Sequence, residues 1–208
     1  AYEIVDCDWS SDVCSSDLSA ISINDIEELA IATAAVNGLL IVDEAYAEFS
    51  NEKSAITLIA KYPNVLVSRT MSKAFAFAGV RLGYLAANKI VVDALQLVRL
   101  PYHLSAITQA AAEVALEFQD ELLAEVSKLA SDRDLVAAAL TEMGLRVIPS
   151  DANFILFGGF KQSSHELWEK LLAEGVLIRD VGLAGYLRVT IGNDAENQAF
   201  LKALKGAL

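Results

Sequence analysis

The sequence predicts an α/β fold, and three observations carry that prediction. Short, apolar, β-rich runs alternate with helical periods through the first part of the chain, the pattern of strands joined by crossover helices. After Gly144 the rhythm tightens into close-set strands and helices, which predicts a smaller α+β unit behind the first. The chain has 208 residues, enough for one large domain or one and a half ordinary ones.

Ser22 and Asp25 read as a capping pair that opens a helix through about residue 35, and Asn37-Gly38 ends it. Residues 39–42, Leu-Leu-Ile-Val, form a continuous apolar run, which predicts a parallel strand buried on both faces. A short helix is expected over 54–61, stopping before Pro63, with a second buried strand at 65–67 and a third over 81–87. Asn88 caps the next helix, which Leu100-Pro101 breaks. From 105 to about 142 the helical period runs almost without Gly or Pro, so a helix pair or one long interdomain helix is expected, with the domain boundary inside it. Strands follow at 145–148, 153–157, 176–179 and 187–191. Helices are expected over Ser164–Ala173, ended by Gly175, and after the cap Asn193.

Composition excludes some functions. Acidic residues number 28 against 16 basic, a formal net charge of −12, which argues against nucleic acid and anionic membrane surfaces as partners. A hydrophobic content of 54% excludes a disordered chain. Mean hydropathy is high at +0.40, yet no apolar run approaches the roughly 20 residues of a membrane span. The surplus apolar surface is expected to belong to an extensive protein interface or to further chain. No basic segment followed by an apolar one opens the sequence, so no secretory signal is expected. Cys7 and Cys14 are the only cysteines, which excludes a disulfide framework and makes a reducing cytoplasm the expected compartment. Both lie in residues 7–18, a Ser- and Asp-crowded stretch without periodicity that reads as an exposed loop; its spacing matches no common zinc pattern.

The strongest chemical signal is Ser68-Arg69-Thr70-Met71-Ser72-Lys73-Ala74-Phe75, just past a buried strand, where α/β folds place ligands. Hydroxyls at Thr70 and Ser72, with Arg81 eight residues after Lys73, suit a phosphate dianion. A lysine among them suits Schiff-base chemistry, and a surface lysine beside an ordinary turn is the equal alternative. The second signal is Ile41-Val42-Asp43-Glu44-Ala45-Tyr46. A carboxylate such as Asp43 at the end of a buried strand calls for a cationic partner, for which a protonated pyridine nitrogen would serve. The plainer reading makes Asp43 a helix cap and Tyr46 a packing residue.

Taken together, Asp-Glu-Ala-Tyr, then Ser-Lys-Ala-Phe, then Ala-Gly-x-Arg-x-Gly resemble the fold-type I aminotransferases dependent on pyridoxal 5′-phosphate. More narrowly, residues 42–49, 68–75, 99–105 and 176–182 resemble the actinobacterial type of histidinol-phosphate aminotransferase, and the resemblance runs from about Ser19 to the C-terminus. It implies that residues 1–122 are part of a large cofactor-binding domain, a mostly parallel sheet with helices on both faces. Residues 123–208 would supply the interdomain helix and a small α+β domain. It implies that Lys73 holds the cofactor and moves the proton, and that Asp43 keeps the pyridine nitrogen protonated. Tyr46 would bond the ring oxygen, and Thr70, Ser72 and Arg81 would hold the phosphate. Arg188, in Tyr-Leu-Arg-Val-Thr, matches the substrate-anion arginine, and here it would grip the substrate phosphate. Arg179 is its rival, although Asp180 beside it could neutralise it. Tyr102 is a weaker substrate-side candidate, and Asn153 is held loosely as a small-domain neighbour. His103 and His165 read as structural or solvated.

The partners implied are an amino donor and 2-oxoglutarate, with a homodimer at full length and a cytoplasmic location. Phenylalanine is the alternative donor, and a non-catalytic ligand-sensing module is the alternative class. The sequence departs from the family's pattern near its start. The cofactor-phosphate helix start, the ring-stacking aromatic, the tyrosine lent by the partner subunit and an Asn-Pro-x-x-Pro-Thr-Gly loop are absent. Residues 7–18 stand where that loop belongs, which reads as an artefactual join or a divergent insertion. The 208-residue chain alone is therefore expected to be inactive or nearly so.

Overall fold

The computed structural model describes residues 18–208. They fall into two compact units, one of residues 21–126 and one that contains 127–208 together with 18–20. Residues 7–17, with both cysteines, lie outside the described residues. Leu18 closes that stretch as a core residue of the second unit, 2% exposed, its carbonyl accepting from the Asp151 N–H at 2.5 Å.

In the first unit, α1 (Ile23–Ala35) begins where Ser22 Oγ accepts from the Asp25 N–H, and the same hydroxyl donates to the Asp25 carboxylate at 2.7 Å. It ends with Asn37 in the left-handed region and the Gly38 N–H on the Thr33 carbonyl. Strand β1 (Leu40–Asp43) pairs in parallel with β2 (Val65–Thr70), from Leu40 opposite Val65 to Asp43 opposite Ser68. Strand β3 (Gly83–Ala87) adds to the other side of β2, antiparallel. Val65, Leu66 and Val67 are buried on both faces, as a central strand should be. β1 departs from the expected two-sided burial: Leu40 and Val42 pack against the cluster around Ile26 and Ala30, but Ile41 is 64% exposed. β1 is the edge of the sheet among the described residues, and none of them covers its second face.

The helix expected over 54–61 is a single 3₁₀ turn, Ala55–Leu58, capped by Ser54. Between its cap and Pro63 the segment is too short to nucleate an α-helix well, and Glu44 draws Ser54 and the Ala55 N–H toward β1 instead. Asn88 caps α2 (Lys89–Val98) as expected. The long helical stretch is a pair, α3 (Ala106–Glu117) and α4 (Gln119–Glu142), parted at Phe118, and the boundary between the units falls inside α4.

The second unit is an antiparallel sheet of β4 (Arg146–Val147), β5 (Phe154–Gly158) and β6 (Tyr186–Thr190) with α5 (Ser164–Ala173) and α6 (Asp194–Ala207). Its core gathers Leu140, Phe157, Leu167, Leu171, Leu187 and Leu204, each at 0% exposure. Gly158 has no side chain because a Cβ there would meet the Gly185 carbonyl at 2.4 Å. Residues 176–179 do not make the expected strand; they form one bridge, Arg179 opposite Arg188. The Ile178 carbonyl is taken at 2.8 Å by the Trp168 indole N–H, which removes an acceptor that a ladder would need. No helix among the described residues is long and apolar enough to cross a membrane.

Candidate active site

The C-terminal ends of β1 and β2 place their side chains together. Asp43 closes β1, and its Oδ1 accepts from the Ser68 hydroxyl and from the Ala45 N–H, each at 3.1 Å. Asp43 is exposed rather than buried, so the desolvation argument made from the sequence does not hold for the described residues. Three residues on, half-buried Tyr46 lies beneath Lys73, whose Nζ stands 5.5 Å from the ring centroid. Thr70 ends β2; its hydroxyl accepts from the Ser72 N–H at 3.1 Å and donates to the Leu82 carbonyl at 3.4 Å.

The loop that follows closes on itself, with the Phe77 N–H on the Met71 carbonyl and the Met71 N–H on the Leu82 carbonyl. Two of its non-glycine residues, Ala76 and Arg81, sit at φ of 55° and 56°. Such residues cost about 1 kcal/mol or more each and persist where surrounding structure over-determines them, which marks this loop as constrained. Arg81 is exposed, with Nη1 donating to the Ala78 carbonyl at 3.3 Å. Gly83 follows because a Cβ would meet the Arg69 carbonyl at 2.7 Å.

Beneath these residues is a cluster the sequence reading missed. Arg69 donates from Nε and Nη2 to Glu44 Oε2, at 3.0 and 2.6 Å, and from Nη1 to Glu48 Oε1 at 3.1 Å. Burial opposes the guanidinium charge, but the Glu44 hydrogen bonds and the charges of both carboxylates more than offset it and hold the group above its ordinary range. The signal available was a pair of acidic residues four apart, astride Tyr46, with an arginine near the end of a buried strand.

In the second unit, Arg188 on β6 lies with its guanidinium 4.4 Å from the Phe154 ring centroid. Arg179 and Arg188 exchange both backbone hydrogen bonds at 2.9 Å, so the two candidates weighed against each other are direct cross-strand neighbours on one face. Asp180 is occupied elsewhere: it accepts from the Gly182 N–H and lies 3.8 Å from His165 Nδ1. The Asn153 carbonyl accepts from the Ile191 N–H. Tyr102 is 100% exposed, at φ 55°.

The residues fit the group the resemblance implies. An exposed primary amine stands over a phenol ring, and a carboxylate is held through one oxygen by a serine and a backbone N–H. The Ser72 hydroxyl and the Arg81 guanidinium on a constrained loop supply anion donors, while the Thr70 hydroxyl, bonded to the Leu82 carbonyl, can turn to join them. Among the described residues no cluster of potential metal ligands occurs.

Comparison with known proteins agrees with this chemistry. Residues 15–204 match the family model described as aminotransferase class I and II. The histidinol-phosphate aminotransferase of Mycolicibacterium smegmatis is 60% identical over 174 residues, 83% of this chain and 46% of the relative. That of Rhodococcus jostii is 61% identical over 179 residues, 86% of this chain and 47% of the relative. The chain thus spans about half the length of the curated relatives it matches. Among solved structures, the histidinol-phosphate aminotransferase from Clostridium acetobutylicum superposes with a TM-score of 0.83 at 26% identity, over 92% of this chain and 60% of that one. The Sinorhizobium meliloti histidinol-phosphate aminotransferase in complex with pyridoxal-5′-phosphate gives 0.75 at 29% identity, over 87% and 52%.

Proposed function

This chain belongs to the aminotransferase class I and II family, and from that premise we propose that it serves the transfer of an amino group between histidinol phosphate and 2-oxoglutarate in histidine biosynthesis. The observation that carries the reading is Lys73 over Tyr46 at the mouth of β1 and β2, in a chain 60% identical to a histidinol-phosphate aminotransferase. Pyridoxal phosphate, when bound, supplies an electron sink for the substrate carbanion. The protein supplies the rest. Lys73 would hold the cofactor and, as a free amine, would take the proton from the substrate's Cα and carry it onward. Asp43 presents its carboxylate to the pyridinium, with one oxygen fixed by Ser68 and Ala45 so that its orientation is set in advance. Tyr46 offers its hydroxyl to the ring oxygen, while Thr70, Ser72 and Arg81 hold the phosphate.

Arg188, with Arg179 opposite, grips the substrate's phosphate, and Tyr102 is an aromatic available to the imidazole. In this reading unit 21–126 is part of the large cofactor-binding domain and 127–208 the small one. The working form is a cytoplasmic homodimer acting on small molecules, and exposed apolar residues such as Ile90, Leu97 and Ile107 support a protein-facing surface. The test is borohydride reduction in the presence of pyridoxal phosphate, followed by peptide mapping. The pyridoxyl adduct is expected on Lys73; an adduct on Lys61 or Lys89 instead ends the assignment.

A further inference from the structure

The Glu44–Arg69–Glu48 cluster has a place in the fold that its bonds alone do not describe. The parallel pairing of β1 and β2 ends with the Glu44 N–H on the Ser68 carbonyl, at 2.9 Å. One residue further along each strand, Arg69 takes over. Its planar fork reaches Glu44 with two N–H groups and Glu48 with a third, and these two carboxylates stand two residues before and two after Tyr46. The side chains of Arg69, Glu44 and Glu48 are only 16%, 9% and 12% exposed. Glu44 is itself fixed from the other side by the Ser54 hydroxyl at 2.7 Å and the Ala55 N–H at 2.6 Å. The segment carrying Tyr46 is therefore clamped at both ends by one cation that belongs to the strand leading to Lys73. Without that cation two desolvated carboxylates would face each other, and the cheapest relief is for residues 44–48 to swing toward water. A lysine cannot replace it, since a point charge lacks the fork that spans both partners.

We propose that Arg69 is a positioning residue, which by holding Glu44 and Glu48 together keeps the Tyr46 ring beneath the Lys73 amine. Held there, the ring covers one side of the amine and shields it from reagents until a ligand takes Tyr46 up. The inference rests on reading Lys73 as the reactive lysine.

The experiment is a brief pulse of acetic anhydride on the 208-residue chain, with peptide mass spectrometry reporting acetylation of Lys73 relative to exposed Lys53. In Arg69→Met the ratio is expected to rise roughly two- to fivefold, as the amine loses the ring contact that covers it. Arg69→Lys is expected to behave like Arg69→Met. Tyr46→Ala raises the ratio by the same factor, Tyr46→Phe leaves it unchanged, and Arg69→Met adds nothing in the Tyr46→Ala background. If Arg69→Met loses its far-ultraviolet dichroism, Glu48→Gln, which leaves the Glu44 pair in place, carries the test and should give a smaller rise.

An unchanged ratio in the folded variants overturns the proposal. So does an Arg69→Met effect that persists without Tyr46, or loss of fold in both Arg69→Met and Glu48→Gln, which would make the cluster structural. Failure of the wider reading is separable: it shows as a pyridoxyl adduct away from Lys73 in the unmutated chain, whatever the acetylation ratio does.

Discussion

Replacing Arg179 with glutamine should stabilise the second unit in phosphate-free buffer and weaken it, relative to the unmutated chain, once phosphate is added. Arg179 and Arg188 are a hydrogen-bonded antiparallel pair, so their side chains leave the same face with Cβ atoms about 5 Å apart. Two like charges about 7 Å apart in an effective dielectric of about 60, suited to an exposed group such as Arg179, repel by about 0.8 kcal/mol, and that is the magnitude assigned to this pair. For a unit of this size that corresponds to roughly 3–6 °C in melting temperature. A dianion bound between the two cations reverses the sign. At ten times its dissociation constant phosphate stabilises the native state by about 1.4 kcal/mol, more than the repulsion it replaces. Removing one fork should then cost the complex about 1.5–3 kcal/mol of binding. The assay is scanning calorimetry of both proteins across a phosphate titration, with sodium chloride at matched ionic strength to separate binding from screening. The reasoning fails if Arg179→Gln melts below the unmutated chain without phosphate. It also fails if phosphate does no more than chloride for the unmutated chain.

Three further outcomes are expected. In a full-length enzyme carrying these residues, Arg188→Lys should lower kcat/KM for histidinol phosphate by about 1–3 kcal/mol and spare phenylalanine, because charge is kept but fork and ring stacking are lost; equal losses for both donors would make Arg188 a general anion anchor. Leu171→Ala empties a fully buried site between α5 and the second sheet and should cost about 2–5 kcal/mol in urea unfolding, a loss under about 1 kcal/mol counting against this core. Ser163→Ala removes the α5 cap, where Ser163 and Glu166 bond reciprocally, at a cost of about 1 kcal/mol near neutral pH. Bonding to the Ser163 N–H and hydroxyl holds the Glu166 carboxyl below its ordinary 4.5, so this contribution is complete above 4.5 and disappears as the pH falls through the lowered value; the gap between Ser163→Ala and the unmutated chain should narrow in acid.

What the sequence made legible was chemistry that acts over a few residues. The caps Ser22, Asn88 and Asn193, the stop at Asn37-Gly38 and the full span of α5 are written in hydrogen bonds between residues two to five apart. The errors lie where distant residues decide. Residues 176–179, Val-Leu-Ile-Arg, are a β-rich apolar run, but the indole of Trp168 claims the Ile178 carbonyl. The run at 39–42 looks buried on both faces, and no periodicity could reveal that Ile41 lies 64% exposed at an edge. For the site, the order of Asp43, Tyr46, Lys73 and Arg81 along the chain was enough to suggest a role for each. The Arg69 bridge was not readable, because it joins positions 21 and 25 residues apart through side chains that look like ordinary surface charges. The pairing of Arg179 with Arg188 needed a register that a single bridge defines.

The two hydrophobic clusters share no residue: one collects around Ala30, Val65 and Val67, the other around Leu140, Phe157 and Leu204. Each has its own balance of burial against chain entropy, so the chain has no single free energy of unfolding to report. A melting curve of it is a sum of two populations, and its midpoint shifts toward whichever unit the probe happens to see. A substitution that loosens the lysine-bearing unit can leave the arginine-bearing unit fully folded, and the reverse holds equally. Loss of native signal in such a variant is then a statement about one unit, made while the other still scores as native.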